Sequence, residues 1–233
     1  LVWVKDYPHD VGAYPDNIKA EGVDFKAQAE AVRSHKSAFT VSKLLRDKDM
    51  WCMGLGFGLL WMVTVGIVSQ FVPRMISVGN SQPAALMMLT VAAVVGLFGS
   101  YFWGWLDQKV GTKPASVVYS ASYIIALLLL IFAKLPIFTY IAIVFVGLGI
   151  GGLLNLMPSM VISVYGKYDF TAANSLVSPI ASLLQKFAFL IMAVLLGVSG
   201  GDYALPYGVF IVIDVIGAAL LLCVTGKCKG KQD

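Results

Sequence analysis

The stretch Ala172-Ala-Asn-Ser-Leu-Val-Ser-Pro-Ile-Ala-Ser-Leu-Leu-Gln-Lys-Phe-Ala-Phe-Leu-Ile-Met-Ala-Val-Leu-Leu-Gly197 decides the fold. About 20 apolar residues suffice for a helix to cross ~30 Å of hydrocarbon, and this run is longer than that. Its one charge, Lys186, stands about a dozen residues from either end. A lysine at that depth costs ~2.5–3.5 kcal/mol on insertion scales, so it requires a partner, a water-filled cavity or an anionic ligand.

Working outward, five more windows of this kind can be read, giving spans near 51–72, 83–105, 114–132, 137–164, 172–197 and 206–224. Of the 233 residues 58% are hydrophobic and only 13% charged, with a mean hydropathy of +0.81. A soluble domain carries about 25% charged residues, so the expected fold is an all-α polytopic membrane protein with six transmembrane helices. The net charge of +4 does not point to nucleic acid, because the basic residues flank the spans instead of forming a stripe. Cys52, Cys223 and Cys228 are scattered and His9 and His35 lie outside the spans, so neither a metal site nor a disulfide framework is expected, and no cofactor.

Charge bias sets the orientation. Arg33, Lys36, Lys43, Arg46, Lys48, Lys109, Lys113, Lys167, Lys227, Lys229 and Lys231 fall on one side of the six windows, and only Arg74 and Lys134 on the other. The positive-inside tendency then puts both ends in the cytoplasm, with a bacterial plasma (inner) membrane as the expected location. The first fifty residues are mostly polar, which argues against a cleavable signal peptide. Leu1–Val4 reads as the end of a preceding apolar segment, so the chain is expected to be the C-terminal part of a longer protein. The organisation expected is the end of a preceding helix plus a central cytoplasmic loop over 1–49, a bundle over 50–226 and a basic tail over 227–233. Within the loop, residues 5–36 read as a linker with some helix around Phe25–Val32, and residues 40–49 as a short amphipathic helix capped by Thr40.

Small residues recur along several spans. Gly54, Gly56 and Gly58 in the first read as packing positions; Gly96, Ser100 and Gly104 in the second form a stripe that admits a close neighbour. The fourth span repeats the device with Gly147, Gly151 and then Asn155, followed by Pro158. Asn155 either joins two helices or contacts a substrate. In the fifth span, at 100° per residue, Ser175, Ser178 and Ser182 fall within about 80° of Lys186, and Pro179, Ala193 and Gly197 within about 20°. That face is small and polar with a cation at its centre, and Ser182, Gln185 and Lys186 are candidate ligand contacts. The sixth span carries Asp214 near its midpoint. Three roles stay open: Asp214 neutralises Lys186 as a structural pair, Lys186 binds an anion, or Asp214 carries a proton.

Between the second and third spans lies Gly104-Trp-Leu-Asp107-Gln-Lys109-Val-Gly111-Thr-Lys113-Pro114. Gly104 and Gly111 permit a tight reversal, and Lys109 and Lys113 mark the cytoplasmic side. The loop resembles the signature loop of the major facilitator superfamily, Gly-x-Leu-x-Asp-Arg-x-Gly-Arg-Arg, at its usual place between the second and third helices of a six-helix half. The acid stands one position early at Asp107, with Gln108 at the acid's usual place and Thr112 where an arginine is common. Together with Tyr7-Pro8 through Asp16-Asn17 and Leu44-Leu-Arg-Asp-Lys-Asp-Met-Trp51, the chain is similar to the oxalate/formate antiporter and monocarboxylate porter branch.

The resemblance implies the second half of a twelve-helix transporter, built as two inverted three-helix repeats and working with an N-terminal six-helix half in membrane lipid. It also implies a carboxylate-binding lysine in the eleventh helix, which Lys186 matches. The arginine such oxalate exchangers carry in the eighth helix has no counterpart in the span from Pro83 to Trp105, which favours a monocarboxylate over an oxalate dianion. The implied function is exchange of small carboxylate anions. Its rivals are a proton-coupled sugar or drug carrier, in which Asp214 is indispensable, and a structural membrane subunit. An enzyme is not expected, since no cluster of His, Asp, Cys or Ser–His groups is visible.

Overall fold

The computed structural model describes residues 35, 37, 39–133 and 135–230. Leu1–Val4, the segment around Phe25–Val32, the remainder of the linker apart from His35, and Lys134 and Lys231 lie outside the described residues. The chain divides into two units, Leu1–Ala38 and Phe39–Asp233, and every helix of the bundle belongs to the second.

Among the described residues the fold is all-helical: α1 Val41–Leu45, α2 Lys48–Ser77, α3 Gln82–Val110, α4 Thr112–Ile131, α5 Pro136–Ile150, α6 Gly152–Val198 and α7 Ala204–Leu222. Local chemistry sets the starts. The Asp47 carboxylate accepts from Asp49 N at 3.0 Å to cap α2, Ser81 Oγ accepts from Ala84 N at 3.4 Å to cap α3, and α5 opens on Pro136. Thr40 precedes α1, but its side chain makes no cap bond, and α1 instead anchors through buried Leu44 while Leu45 stays exposed. Gly111 joins α3 to α4 with φ 88, a left-handed conformation open to glycine.

Five helical runs are long and apolar enough to cross a membrane: Lys48–Ser77, Gln82–Val110, Thr112–Ile131, Pro136–Val198 and Ala204–Leu222. The fourth has 63 residues, roughly 95 Å if it were straight, about three times the hydrocarbon thickness. It is not straight, because Gly166 has φ 77 and ψ 167. The loop expected between residues 164 and 172 is thus replaced by helix on both sides of one glycine. Tyr165, just before the break, donates to Asp47 Oδ2 at 3.0 Å, so it lies at the α2 start. Tyr203, beyond the second arm, donates to Gln70 Oε1 at 3.3 Å near the α2 end.

Glycine decides which helices touch. The second arm of α6 lies on α2, with Ile180 over Gly54 and Ala181 and Leu184 over Gly58. Gly56 of α2 and Gly217 of α7 face each other, and a Cβ on either would stand 3.1 Å from the other's carbonyl oxygen. The two stripes read from the sequence meet one another: Gly147 lies against Ala92, and Gly151 against Gly96 and Ser100.

That contact accompanies a discontinuity between α5 and α6 at Gly151, where side chains from neighbouring helices reach the backbone carbonyls. Trp103 Nε1 donates to Leu148 O at 2.7 Å, Tyr119 OH to Gly149 O at 3.1 Å and Ser100 Oγ to Gly151 O at 3.2 Å. Asn155 Nδ2 returns a bond to Ser100 O at 2.8 Å. At the opposite end of the bundle from Asp47, buried Arg74 donates to Leu130 O at 2.8 Å and Ile131 O at 3.0 Å, which satisfies the last carbonyls of α4 and opposes its dipole.

The tail closes the Asp47 end. Lys229 Nζ lies 2.6 Å from Asp47 Oδ1 and 2.5 Å from Asp49 Oδ2, Lys229 N donates to Val164 O, and Thr225 N donates to Asp49 Oδ1 at 2.8 Å. Partial burial raises the Asp47 carboxyl's pKa, but the Lys229 ammonium, the Asp49 N–H and the Tyr165 hydroxyl outweigh it and hold it below its ordinary 3.8. Burial likewise lowers that of Lys229, and the two carboxylates reverse this and hold it above 10.5. A depressed acid loses its contribution as pH falls below 3.8, and a raised lysine loses its own as pH climbs above 10.5, so the clamp holds throughout the neutral range.

Two outcomes are expected. Gly147→Ala puts a Cβ 2.5 Å from Ala92 O and should destabilise the bundle by about 1–3 kcal/mol, whereas Gly104→Ala, whose nearest neighbour is 4.0 Å away, should leave the thermal midpoint in detergent unchanged. Lys229→Met should raise hydrogen exchange at the Thr225 amide by roughly two- to fivefold, with no pH dependence of the protection between about pH 5 and 9 in the unaltered protein.

Candidate functional site

The second arm of α6 turns Ala173, Val177, Ala181, Ala188 and Met192 into the bundle. Its opposite face presents Ser175, Pro179, Ser182, Lys186, Ala193 and Gly197, all exposed, with Ser178 and Gln185 half-buried at the margins. The helical spacing thus grouped the stripe correctly, and Lys186 points almost directly away from the packed core. The Ser175 and Ser178 hydroxyls donate within their own helix, to Ala172 O at 2.7 Å and Asn174 Oδ1 at 3.0 Å. Among the described residues Lys186 has no ion-pair partner.

Asp214 is fully buried, and Ser120 Oγ of α4 donates to its Oδ2. Its Oδ1 has no hydrogen-bond partner among the described residues. Lys186 and Asp214 therefore occupy different environments, one on an outer face and one between α4 and α7, and no ion pair joins them among the described residues.

The signature loop makes a separate cluster. Asp107 accepts from Ser159 Oγ, whose oxygen also lies 3.3 Å from Thr112 Oγ1, so the loop is tied to the first arm of α6 through hydroxyls. Lys109 lies over the Trp105 ring at 4.8 Å, and Lys113 donates to Val224 O, joining the α3–α4 turn to the end of α7. A groove of about 620 Å³ runs past Ser100, Gly104, Asp107, Gln108 and Asn155. Asn155 thus stands with the signature loop and is engaged in joining α3 to α6. The structure does not bring it into one cavity with Lys186, Ser182 and Gln185.

A smaller cavity of about 350 Å³ lies between α2, α5 and the second arm of α6. It is bounded by Trp61, Val65 and Val68 of α2, Ile150 of α5 and Phe189 of α6. Phe189 is three residues past Lys186, one turn along the same arm and about 60° round from it. Nothing in the sequence singled out this cavity, because its walls are ordinary apolar residues on three helices far apart in the chain. Sequence reasoning also missed the Trp103–Tyr119–Tyr123 cluster. It carries a readable signal, two tyrosines four residues apart on one face of a span, and their rings stack 5.1 Å apart.

No curated protein matches this chain at a significant level. The sequence profile of the Major Facilitator Superfamily matches residues 11–184, about three quarters of the chain. That match and the five long apolar helices agree, and members of this group are transporters, not enzymes. The chain belongs to the major facilitator superfamily and is a membrane transporter of that kind.

Proposed function

We propose that the chain is the C-terminal half of a transporter that exchanges small carboxylate anions of the oxalate/formate or monocarboxylate type, with Lys186 as the fixed positive charge of the site. The observation that carries this reading is the position of Lys186: mid-helix, exposed on the face opposite the core, and without an ion-pair partner among the described residues. Facing lipid, it would cost ~2.5–3.5 kcal/mol, so the face is expected to border water or an anion in the assembled protein. The small and polar residues around it, Ser175, Ser182 and Ala193, suit a cavity wall better than a lipid-facing surface.

In this reading the 63-residue run counts as two spans broken at Gly166, giving six helices arranged as two inverted three-helix repeats. The N-terminal six-helix half of the same transporter supplies the opposite wall, and both ends of the present chain lie in the cytoplasm of a bacterial cell. The clustering of Lys48, Lys109, Lys113 and Lys229 at the Asp47 end supports that orientation. An anion entering from outside pairs with Lys186, the halves rock closed over the pair, and inward opening releases it. Return with an empty site would carry a desolvated, unpaired ammonium through the closed state, so exchange outruns net flux.

A proton-coupled carrier of the same superfamily is the second reading. It is favoured by Asp214, a fully buried carboxyl with one oxygen unpartnered among the described residues. Counterflow in proteoliposomes of the full-length protein, loaded with formate, oxalate, lactate or a neutral sugar, separates the two. Anion exchange predicts carboxylate counterflow that falls at least tenfold in Lys186→Gln and survives in Asp214→Asn. Sugar counterflow abolished by Asp214→Asn and indifferent to Lys186→Gln would replace it with the proton-coupled reading.

A further inference from the structure

We infer that the cavity walled by Trp61, Val65, Val68, Ile150 and Phe189 receives the hydrocarbon tail of a straight-chain monocarboxylate while Lys186 holds its carboxylate. This rests on the anion reading of Lys186 and extends it to a part of the substrate that the lysine cannot recognise.

The first argument is the chemistry of the walls. Besides the five apolar or aromatic residues, the lining holds Thr64 and Ser69, and both hydroxyls are already used. Thr64 Oγ1 donates to Leu60 O at 3.0 Å and lies 3.0 Å from Tyr119 OH; Ser69 Oγ donates to Gly66 O at 3.0 Å. The Trp61 indole N–H is the remaining side-chain donor, and it has no partner among the described residues. A tail with several polar groups would lose its water there and gain at most one hydrogen bond, from the Trp61 indole, whereas methylenes lose nothing.

The second argument is position and size. Phe189 belongs both to the cavity wall and to the turn that follows Lys186, so the backbone that carries the lysine lies about one helical turn from that wall. A volume of about 350 Å³ is at the lower end of ligand pockets, enough for a short alkyl chain and far more than formate requires. On the other flank of Lys186 stand Leu183, Phe187, Leu190 and Val194, exposed and outside the lining of this cavity. A tail that enters the cavity runs toward α2 and α5, away from that flank.

The test is a titration of the purified full-length protein in detergent at about pH 7.5 with formate, acetate, propionate, butyrate, pentanoate and hexanoate, and with butanol and hexanol as neutral probes. Affinity should rise about fourfold with each of the first few methylenes and then level off, as ~0.8 kcal/mol per buried methylene requires. Phe189→Ala should flatten the series, Val65→Phe should make it level off at a shorter chain, and Lys186→Gln should weaken every acid without touching the alcohols. Formate and acetate bound with Lys186 dependence but no gain with length would overturn the tail cavity and leave the anion reading standing. Acids whose binding ignores Lys186→Gln would overturn both, as would alcohols binding as tightly as the matching acids.

Discussion

Within a bilayer no water stands by to satisfy a backbone carbonyl, and the junction of α5 and α6 is where that constraint acts most strongly on this fold. Around Gly151 the chain receives side-chain donors from two other helices: Trp103 and Ser100 of α3 and Tyr119 of α4. An indole or hydroxyl can reach a neighbour's backbone only if the helices nearly touch, which Gly96, Gly147 and Gly151 permit. The glycine stripes, the buried aromatic cluster and the Asn155 bond back to Ser100 are thus parts of one arrangement. Each of these donors adds a bond to a carbonyl at the junction, and losing one costs about 0.5–1.5 kcal/mol where a backbone N–H still serves the same oxygen, as the Gly151 N–H does at Gly149 O.

The same requirement separates the cations of the spans. Arg74 is buried and its guanidinium is spent on the α4 carbonyls at Leu130 and Ile131, so it is fully accounted for by structure. Among the described residues Lys186 has no such use. Its helix packs on α2 with the opposite face, and nothing in the bundle requires an ammonium where it stands. A group that is costly in the membrane and idle in the fold is a candidate for function, and this contrast carries more weight than the presence of a charge alone.

The spans were legible because 3.6-residue helices crossing a fixed thickness need long apolar runs. The run read as 83–105 became Gln82–Val110 and that read as 114–132 became Thr112–Ile131. The stripe around Lys186 was legible for a related reason, since angular spacing along one helix is intrinsic to the sequence. What periodicity cannot report is which neighbour a face meets. That Gly96 lies against Gly151, or that Asp214 turns to Ser120 and not to Lys186, depends on the packing of separate helices. The break at Gly166 falls in the gap read between the spans 137–164 and 172–197, where Lys167 and Asp169 interrupt the apolar run; what the sequence did not show is that helix continues on both sides of one glycine at φ 77. The cavity beside Phe189 left no trace in the sequence, because it is defined by where side chains are absent.

The most direct test of the central claim is solvent access at position 186. In a full-length background with Cys52, Cys223 and Cys228 replaced by alanine, Lys186→Cys and Ala188→Cys would each be exposed to a membrane-impermeant, positively charged thiol reagent. If the Lys186 face borders the transport path, Lys186→Cys is labelled at a rate that changes with the direction in which the protein opens, while buried Ala188→Cys stays inert. A Lys186→Cys protein as unreactive as Ala188→Cys, in both inward-open and outward-open preparations, would place the lysine away from water and contradict the account.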